Sequence, residues 1–333
     1  MCSVCFDPRC HTTIHLKYEN HTSLDSLPDS KNETITLPLE IHTEDKVLGT
    51  IPPIGLGVPE SALALSNLQV EHLSALNLSH LRVDIHLQDG SWQSELTQAD
   101  EQAMQLNCQL EIAVHLTDDA ENQLRSLKQF IDTRNLTIAR WIIFHINEKS
   151  TSAHWVELAR KYLPSNLIGS GTNHFFTELN RERPPTDVID FAVYSTNPQV
   201  HAFNNLSLVE TLALQAENVK SARQFCDDKP IVVSPITLKM RLNPNATGAP
   251  PPVPDGELPP QVDVRQMSLL GACWTLGSLK YNIENQVESI TYYETVGWRG
   301  VMDTSDAPIL PDKFPSIPDA VFPMYMYSGI LVN

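Results

Sequence analysis

A chain of 333 residues with 41% hydrophobic content has material for one large domain or two ordinary ones around a real core. Its 23 Lys and Arg stand against 40 Asp and Glu, a formal charge of -17 that repels phosphate backbones and anionic membranes, so no nucleic-acid partner is expected. No apolar run approaches the roughly 20 residues of a membrane span. The opening MCSVCFDPRCH also lacks the basic-then-apolar layout of a secretion signal, and a globular cytoplasmic enzyme with no membrane partner is the expectation.

Residues 1–50 are polar, carry short alternating runs such as Thr36 to Ile41, and show no helical period. They read as the remnant of a β-rich N-terminal region, partly disordered, ahead of a catalytic domain over 51–333. Cys2, Cys5, Cys10 and His11 have a spacing that zinc could use, but no second half-site follows and no metal is assigned. Cys108, Cys226 and Cys273 are scattered, as reduced thiols are.

From Pro53 the pattern becomes regular. Strands are expected to begin near residues 53, 79, 110, 140, 166, 188, 229 and 288. Helices are expected over 94–107, 119–132, 152–163, 207–225 and 263–283, with Ser207 and Asp263 as N-caps and a weaker segment after the fifth strand. Eight βα alternations predict an α/β fold, a (β/α)8 TIM barrel.

The second strand favours a barrel over an open sheet. Leu81, Val83, Ile85 and Leu87 share one face, while Arg82, Asp84 and His86 share the other. A parallel strand covered on both sides is apolar throughout, so three ionisable groups on one face call for a polar barrel mouth. The third strand repeats the pattern, with Glu111, Ala113 and His115 inward, and the first puts Gly55 and Gly57 inside. Between the seventh strand and its helix lies a proline-rich loop, 239–263, too long for a mere connector. On a barrel it overhangs the C-terminal face as a lid, with Asn243 and Asn245 as its ligand contacts.

Barrel active sites are built from strand ends. Here those ends carry Asp84, His86, His115, His145 with Asn147 and Glu148, Asn173, Tyr194 with Asn197, and Tyr293 with Glu294, an inventory suited to sugar-like ligands. Each has a plainer reading. A lone His or Tyr at a strand end is more often hydrogen-bonded scaffold, Asp84 is as readily an ion pair with Arg82, and Trp298 and Trp141 are as readily packing. Concentration at one end of one barrel argues for function, with Trp298 just past Glu294 where a sugar face can rest.

The Asn147-Glu148 pair ending the fourth strand resembles the acid/base signature of clan A glycoside hydrolases, which use a second Glu ending the seventh strand. Pro235 stands there in KPIVVSP, so that carboxylate pair is broken, and Glu294 is the nearest replacement. Longer strings narrow the choice. GTNHFFTELNRERPP, YSTNPQVHAFNNLSLVETL, RLNPNATG, LPPQVDVRQMSLLGACWTLGSLKY and TYYETVGWRGVM, in this order, resemble the D-apionate lactonase family from about Pro53 to near the C-terminus.

That resemblance implies a glycoside-hydrolase-like barrel acting on a small-molecule sugar lactone, D-apionolactone, opened to D-apionate in apiose catabolism. Members of the family are longer, which implies that most of a β-rich N-terminal region is missing here. Lactone hydrolysis needs a base for water, an oxyanion donor and an acid for the leaving hydroxyl, and it calls for no cofactor. By strand-end position Glu148 or Glu294 is the base and the other the acid, with His145, Asn147 or Asn173 as oxyanion donor. Asp84, His86, His115, Tyr194, Asn197, Tyr293 and Trp298 complete the substrate site. Strict alternation puts Asn147 and Glu148 on opposite faces, so both point inward only if a bulge breaks the period. Three other readings stay open: a glycoside hydrolase with a relocated carboxylate, a metal-dependent hydrolase built on Asp84, His86, His115, His145 and His201, and a non-catalytic sugar-binding barrel. Quaternary state is not legible in the sequence.

Overall fold

Alternation of side chains along the strands sets the architecture, because one face must fill a lumen and the other must meet helices. The computed structural model describes residues 13–15, 42–44, 50–60, 64–163, 166–246, 248 and 251–325. The chain divides into two units, Met1–Thr50 and Ile51–Asn333. In the first, β1 (Thr13–His15) and β2 (His42–Glu44) pair antiparallel with Ile14 opposite Thr43. Cys2, Cys5, Cys10 and His11 lie outside the described residues.

The second unit is the expected (β/α)8 barrel. Its parallel strands are β3 (Ile54–Gly57), β4 (His80–His86), β5 (Gln109–Leu116), β6 (Ile138–His145), β7 (Leu167–Phe175), β8 (Phe191–Thr196), β9 (Ile231–Ile236) and β10 (Ser289–Val296). Each pairs with the next, and β10 pairs with both β9 and β3 to close the ring. A short β11 (Gly300–Met302) adds to β10 outside the ring.

The helices are α1 (Asn67–Ala75), α2 (Trp92–Gln105), α3 (Ala120–Asp132), α4 (Ala153–Tyr162), α5 (Phe176–Arg181), α6 (Asn205–Glu210), α7 (Leu214–Arg223) and α8 (Leu269–Glu284). α3 shows why they form. Leu124, Leu127 and Ile131 fall on one buried stripe, while Arg125 pairs with Glu121 and Lys128 with Asp132 on the wet side, each four residues apart. Among the described residues no helix is long and apolar enough to cross a membrane.

Two boundaries differ from the sequence reading. The helix expected over 207–225 is two helices, α6 and α7. Its cap is Asn204, whose Oδ1 accepts the Ser207 N–H at 3.0 Å, and the Thr211 hydroxyl bonds back to the Ser207 carbonyl at 2.7 Å where α6 ends. Asp263 caps only a short 3-10 turn, Val264–Met267. Ser268 then caps α8 by accepting the Gly271 N–H.

The two strand faces build two cores. Outside the ring, Leu81, Ile85, Leu110, Ile112 and Val114 are buried against the helices. Inside it, Ala113, Ile142, Phe144, Phe191, Val193 and Val232 form a separate apolar plug. A polar cluster also fills the lumen. Glu111, fully buried, accepts hydrogen bonds from the Ser234 hydroxyl and from Thr291 and lies 3.5 Å from Arg140 Nε and 3.8 Å from His80 Nε2. Gly55 makes room for this cluster, since a Cβ there would stand 2.3 Å from the His80 ring. Burial pushes His80 down to about 4, against the pull of Glu111, so its ring is neutral and Glu111 is balanced by Arg140 and Arg82.

Candidate functional site

The C-terminal ends of the strands carry one continuous polar network centred on Asp84. Arg82, two residues earlier on the same face of β4, is fully buried and grips Asp84 with Nε at 3.1 Å from Oδ2 and Nη2 at 2.8 Å from Oδ1. The same guanidinium reaches across the lumen. Nη2 donates to Asn173 Oδ1 at 2.8 Å, and Nη1 donates to the Ser234 carbonyl at 2.7 Å and its hydroxyl at 3.0 Å. His115 Nε2 lies 3.0 Å from Asp84 Oδ1, and its ring stacks on that of His86 with centroids 4.1 Å apart. From the loop after β9, Arg241 Nη2 donates to Asp84 Oδ2 at 3.0 Å.

Burial alone would raise the Asp84 pKa, but Arg82, Arg241 and the His115 hydrogen bond outweigh it and hold the carboxyl well below its usual range. Burial takes His115 down to about 4 despite Asp84, so the imidazole is neutral near pH 7. With His115 neutral, its bonded Nε2 carries the hydrogen and donates to the carboxylate.

Next to this network lies a cavity of about 780 Å3, lined by Arg241, Glu294, Arg299, Trp298 and Glu60 among others. Glu294 enters it because β10 is bulged. The register against β3 slips between Tyr292 and Glu294, and Tyr293 takes a left-handed φ of 42°. The Glu294 carboxylate pairs with Arg299 at 2.7 Å. Burial raises its pKa, Arg299 and Arg241 oppose the rise, and the like charge of Glu60 adds to it. The result is a carboxylate of raised proton affinity between two guanidiniums.

Of the residues singled out from the sequence, Asp84, His86, His115 and Asn173 meet in the network, while Glu294 and Trp298 line the cavity. Six others are placed elsewhere. His145 lies on the face of β6 opposite that of Phe144, with its ring flat on Trp155 of α4 at 4.1 Å and its Nε2 3.3 Å from Asp118. Asn147 is exposed. The Glu148 carboxylate accepts from the Ser152 N–H at 2.7 Å, the Ser152 hydroxyl at 3.0 Å and Trp155 Nε1 at 2.8 Å, so it serves the first turn of α4. Tyr194 packs edge-on against Phe176 of α5, and the Tyr293 hydroxyl shares a 2.7 Å hydrogen bond with Thr275 of α8. Asn197 accepts the Gln199 N–H at 3.2 Å in its own loop.

In the loop 239–263 the cavity is lined by Arg241, Leu242, Pro259, Gln261 and Val262, whereas Asn243 and Asn245 are exposed. Of the five residues of the metal reading, Asp84, His86 and His115 meet in the network, whereas His145 faces α4 and His201 is exposed. Among the described residues no group of three His, Cys, Asp or Glu is placed to hold a metal ion. Arg241, Arg299 and Glu60 escaped a reading confined to strand ends. The signal for the two arginines was present, since each lies inside one of the quoted strings, RLNPNATG and TYYETVGWRGVM.

Solved structures share the fold. The chain is similar to a β-glucuronidase from Ruminococcus gnavus in complex with D-glucaro 1,5-lactone, at TM-score 0.54 and 9% identity over 88% of this chain and 51% of that one. It is similar also to a family 39 glycoside hydrolase from Bacteroides cellulosilyticus WH2, at TM-score 0.51 and 8% identity over 86% and 64% of the two chains. In sequence, 86 residues are 41% identical to a D-apionate lactonase of Brucella anthropi, a match that takes in 26% of this chain and 14% of that protein. The family described as D-apionate lactonase, TIM barrel domain, matches residues 54–331, most of the chain, and this protein belongs to it.

Proposed function

We propose that the protein hydrolyses a sugar lactone and that its substrate is D-apionolactone, opened to D-apionate. The observation that carries this reading is Glu294, a carboxylate of raised proton affinity presented to a cavity at the barrel mouth between Arg241 and Arg299. Family membership and the name of the Brucella relative support the choice of lactone.

In this reading the ionised Glu294 takes a proton from water as the water oxygen bonds to the lactone carbonyl carbon, and the carbonyl π pair moves onto its oxygen. On collapse that pair re-forms the double bond and the ring C–O bond breaks. The ring oxygen leaves as a hydroxyl with the proton returned by Glu294, and the new carboxylic acid ionises in water. A raised pKa suits both halves of this cycle, because it strengthens the carboxylate as a base while its conjugate acid can still return the proton. Trp298 offers an apolar wall for the sugar.

One observation favours a second reading. Glu60 lines the same cavity as Glu294, and two carboxylates in one pocket are the equipment of a glycoside hydrolase. A single experiment separates the two. The purified protein is incubated with a panel of aldonolactones including D-apionolactone and with aryl glycosides, with and without chelator, and release of acid and of phenol is followed. Acid from the branched lactone with intact glycosides is the expected result; rapid phenol release would overturn it.

A further inference from the structure

Arg241, a cation at the barrel mouth, is only half satisfied. Its Nη2 is held by Asp84 at 3.0 Å, its Nη1 is buried with no acceptor among the described residues, and 20% of the side-chain surface stays exposed. A buried charged donor without an acceptor costs free energy, so a small turn of the guanidinium toward a ligand oxygen in the cavity is favourable. The side chain is held from behind by strand residues. Asp84 is itself clamped by Arg82, and Arg82 is fastened to Asn173 and Ser234, so the guanidinium is placed by the barrel wall although it belongs to a loop. It borders the cavity that Glu294 lines, and Glu294 and Glu60 are close enough to stabilise its charge.

We propose that Arg241 is the electrophilic residue of this site: its guanidinium donates to the carbonyl oxygen of the bound lactone and holds the negative charge that develops there as water adds. The inference rests on the lactonase reading and names the oxyanion donor that Glu294 lacks. It replaces Asn147, which is exposed, and His145, which faces α4, in that role. Asn173 is also committed elsewhere, with Oδ1 on Arg82 and Nδ2 3.4 Å from Asp84. A donor pre-fixed where charge develops is worth about 10²- to 10³-fold in turnover.

The test is chemical rescue. Wild type, Arg241→Ala and Arg241→Lys are assayed on D-apionolactone over a range of substrate concentrations, with and without guanidinium at a concentration that leaves the circular dichroism of each protein unchanged. Arg241→Ala is expected to lose about 10²-fold or more in kcat and to regain about tenfold or more, saturably, when guanidinium is added. Arg241→Lys keeps a cation beside Asp84 and so keeps the fold, but presents a point charge in place of a planar fork. Its kcat is expected to fall about tenfold or more with KM little changed. Full kcat in the Lys variant, or an Ala loss that guanidinium does not restore, would overturn the proposal. If wild type opens no lactone, the lactonase reading itself falls and takes this inference with it; if wild type is active and the variants match it, only the role of Arg241 falls.

Discussion

The carbonyl oxygen of Tyr293 occupies the space that a side chain on Gly57 would fill: a Cβ there would lie 2.8 Å from it and 3.7 Å from Glu294 Cγ. The glycine in β3 is therefore what lets β10 bulge and turn Glu294 into the cavity. Gly57→Ala should push the bulge outward, costing about 1–3 kcal/mol of stability as overpacking does. Turnover should fall along with it. Urea unfolding and lactone assays check both, and a fully active, fully stable variant would show that the bulge forms without the glycine.

Glu294→Gln, nearly isosteric, should lower kcat by about 10²-fold or more, the usual scale for losing general base help. With the ionised carboxylate as the proposed base, wild-type activity should be lost as pH falls through a pKa raised above the ordinary carboxylate value. A pH profile of kcat/KM gives the check. The acidic limb should vanish in the variant, and its persistence unchanged would assign that limb to another group.

Asp84 is expected to matter for stability through its two arginines. Its folded pKa is depressed, so its contribution is fully present above the unfolded value of about 4 and is lost as pH falls through the lower folded value. Asp84→Asn removes the anion that Arg82 and Arg241 share and should cost about 3–5 kcal/mol at neutral pH. Denaturation of both proteins at pH 7 and in strong acid tests the sign. The gap between wild type and variant should narrow in acid, and a gap that stays constant would mean that packing, not charge, is lost.

Glu148→Ala should loosen the start of α4 by removing its bonds to Ser152 and Trp155, at a cost of about 0.5–1.5 kcal/mol per bond lost. Its kcat on the lactone should remain within about threefold of wild type. If kcat instead collapses while stability holds, the Asn147-Glu148 pair belongs to the chemistry after all.

The barrel and its inward faces were legible because period-two alternation is a local property. Arg82, Asp84 and His86 on one face, and Glu111 and His115 on the next strand, could be read directly. Bulges were not legible. The slip at Tyr293 depends on a glycine more than two hundred residues away, and nothing near Glu294 announces it. His145 and Glu148 show a different limit. A polar side chain at a strand end looks the same in one dimension whether it meets a substrate or the helix that follows, and here Trp155 of α4 engages both. Arg241 was hidden for a third reason, since loops have no period from which to infer direction, and only its partner Asp84 fixes where it points.

The Arg82 guanidinium joins β4 to β7 and β9 through Asp84, Asn173 and Ser234, and so acts as a crossbar spanning the lumen. A crossbar fixes a diameter. The strands it ties cannot splay without breaking charge-assisted bonds in a buried place, so the spacing of β4, β7 and β9 is fixed. Ligand size is then set by the loops that line the cavity, those carrying Arg241, Gln261 and Trp298. A change of substrate in this lineage should be written in loop residues, with the strand residues beneath left as they are.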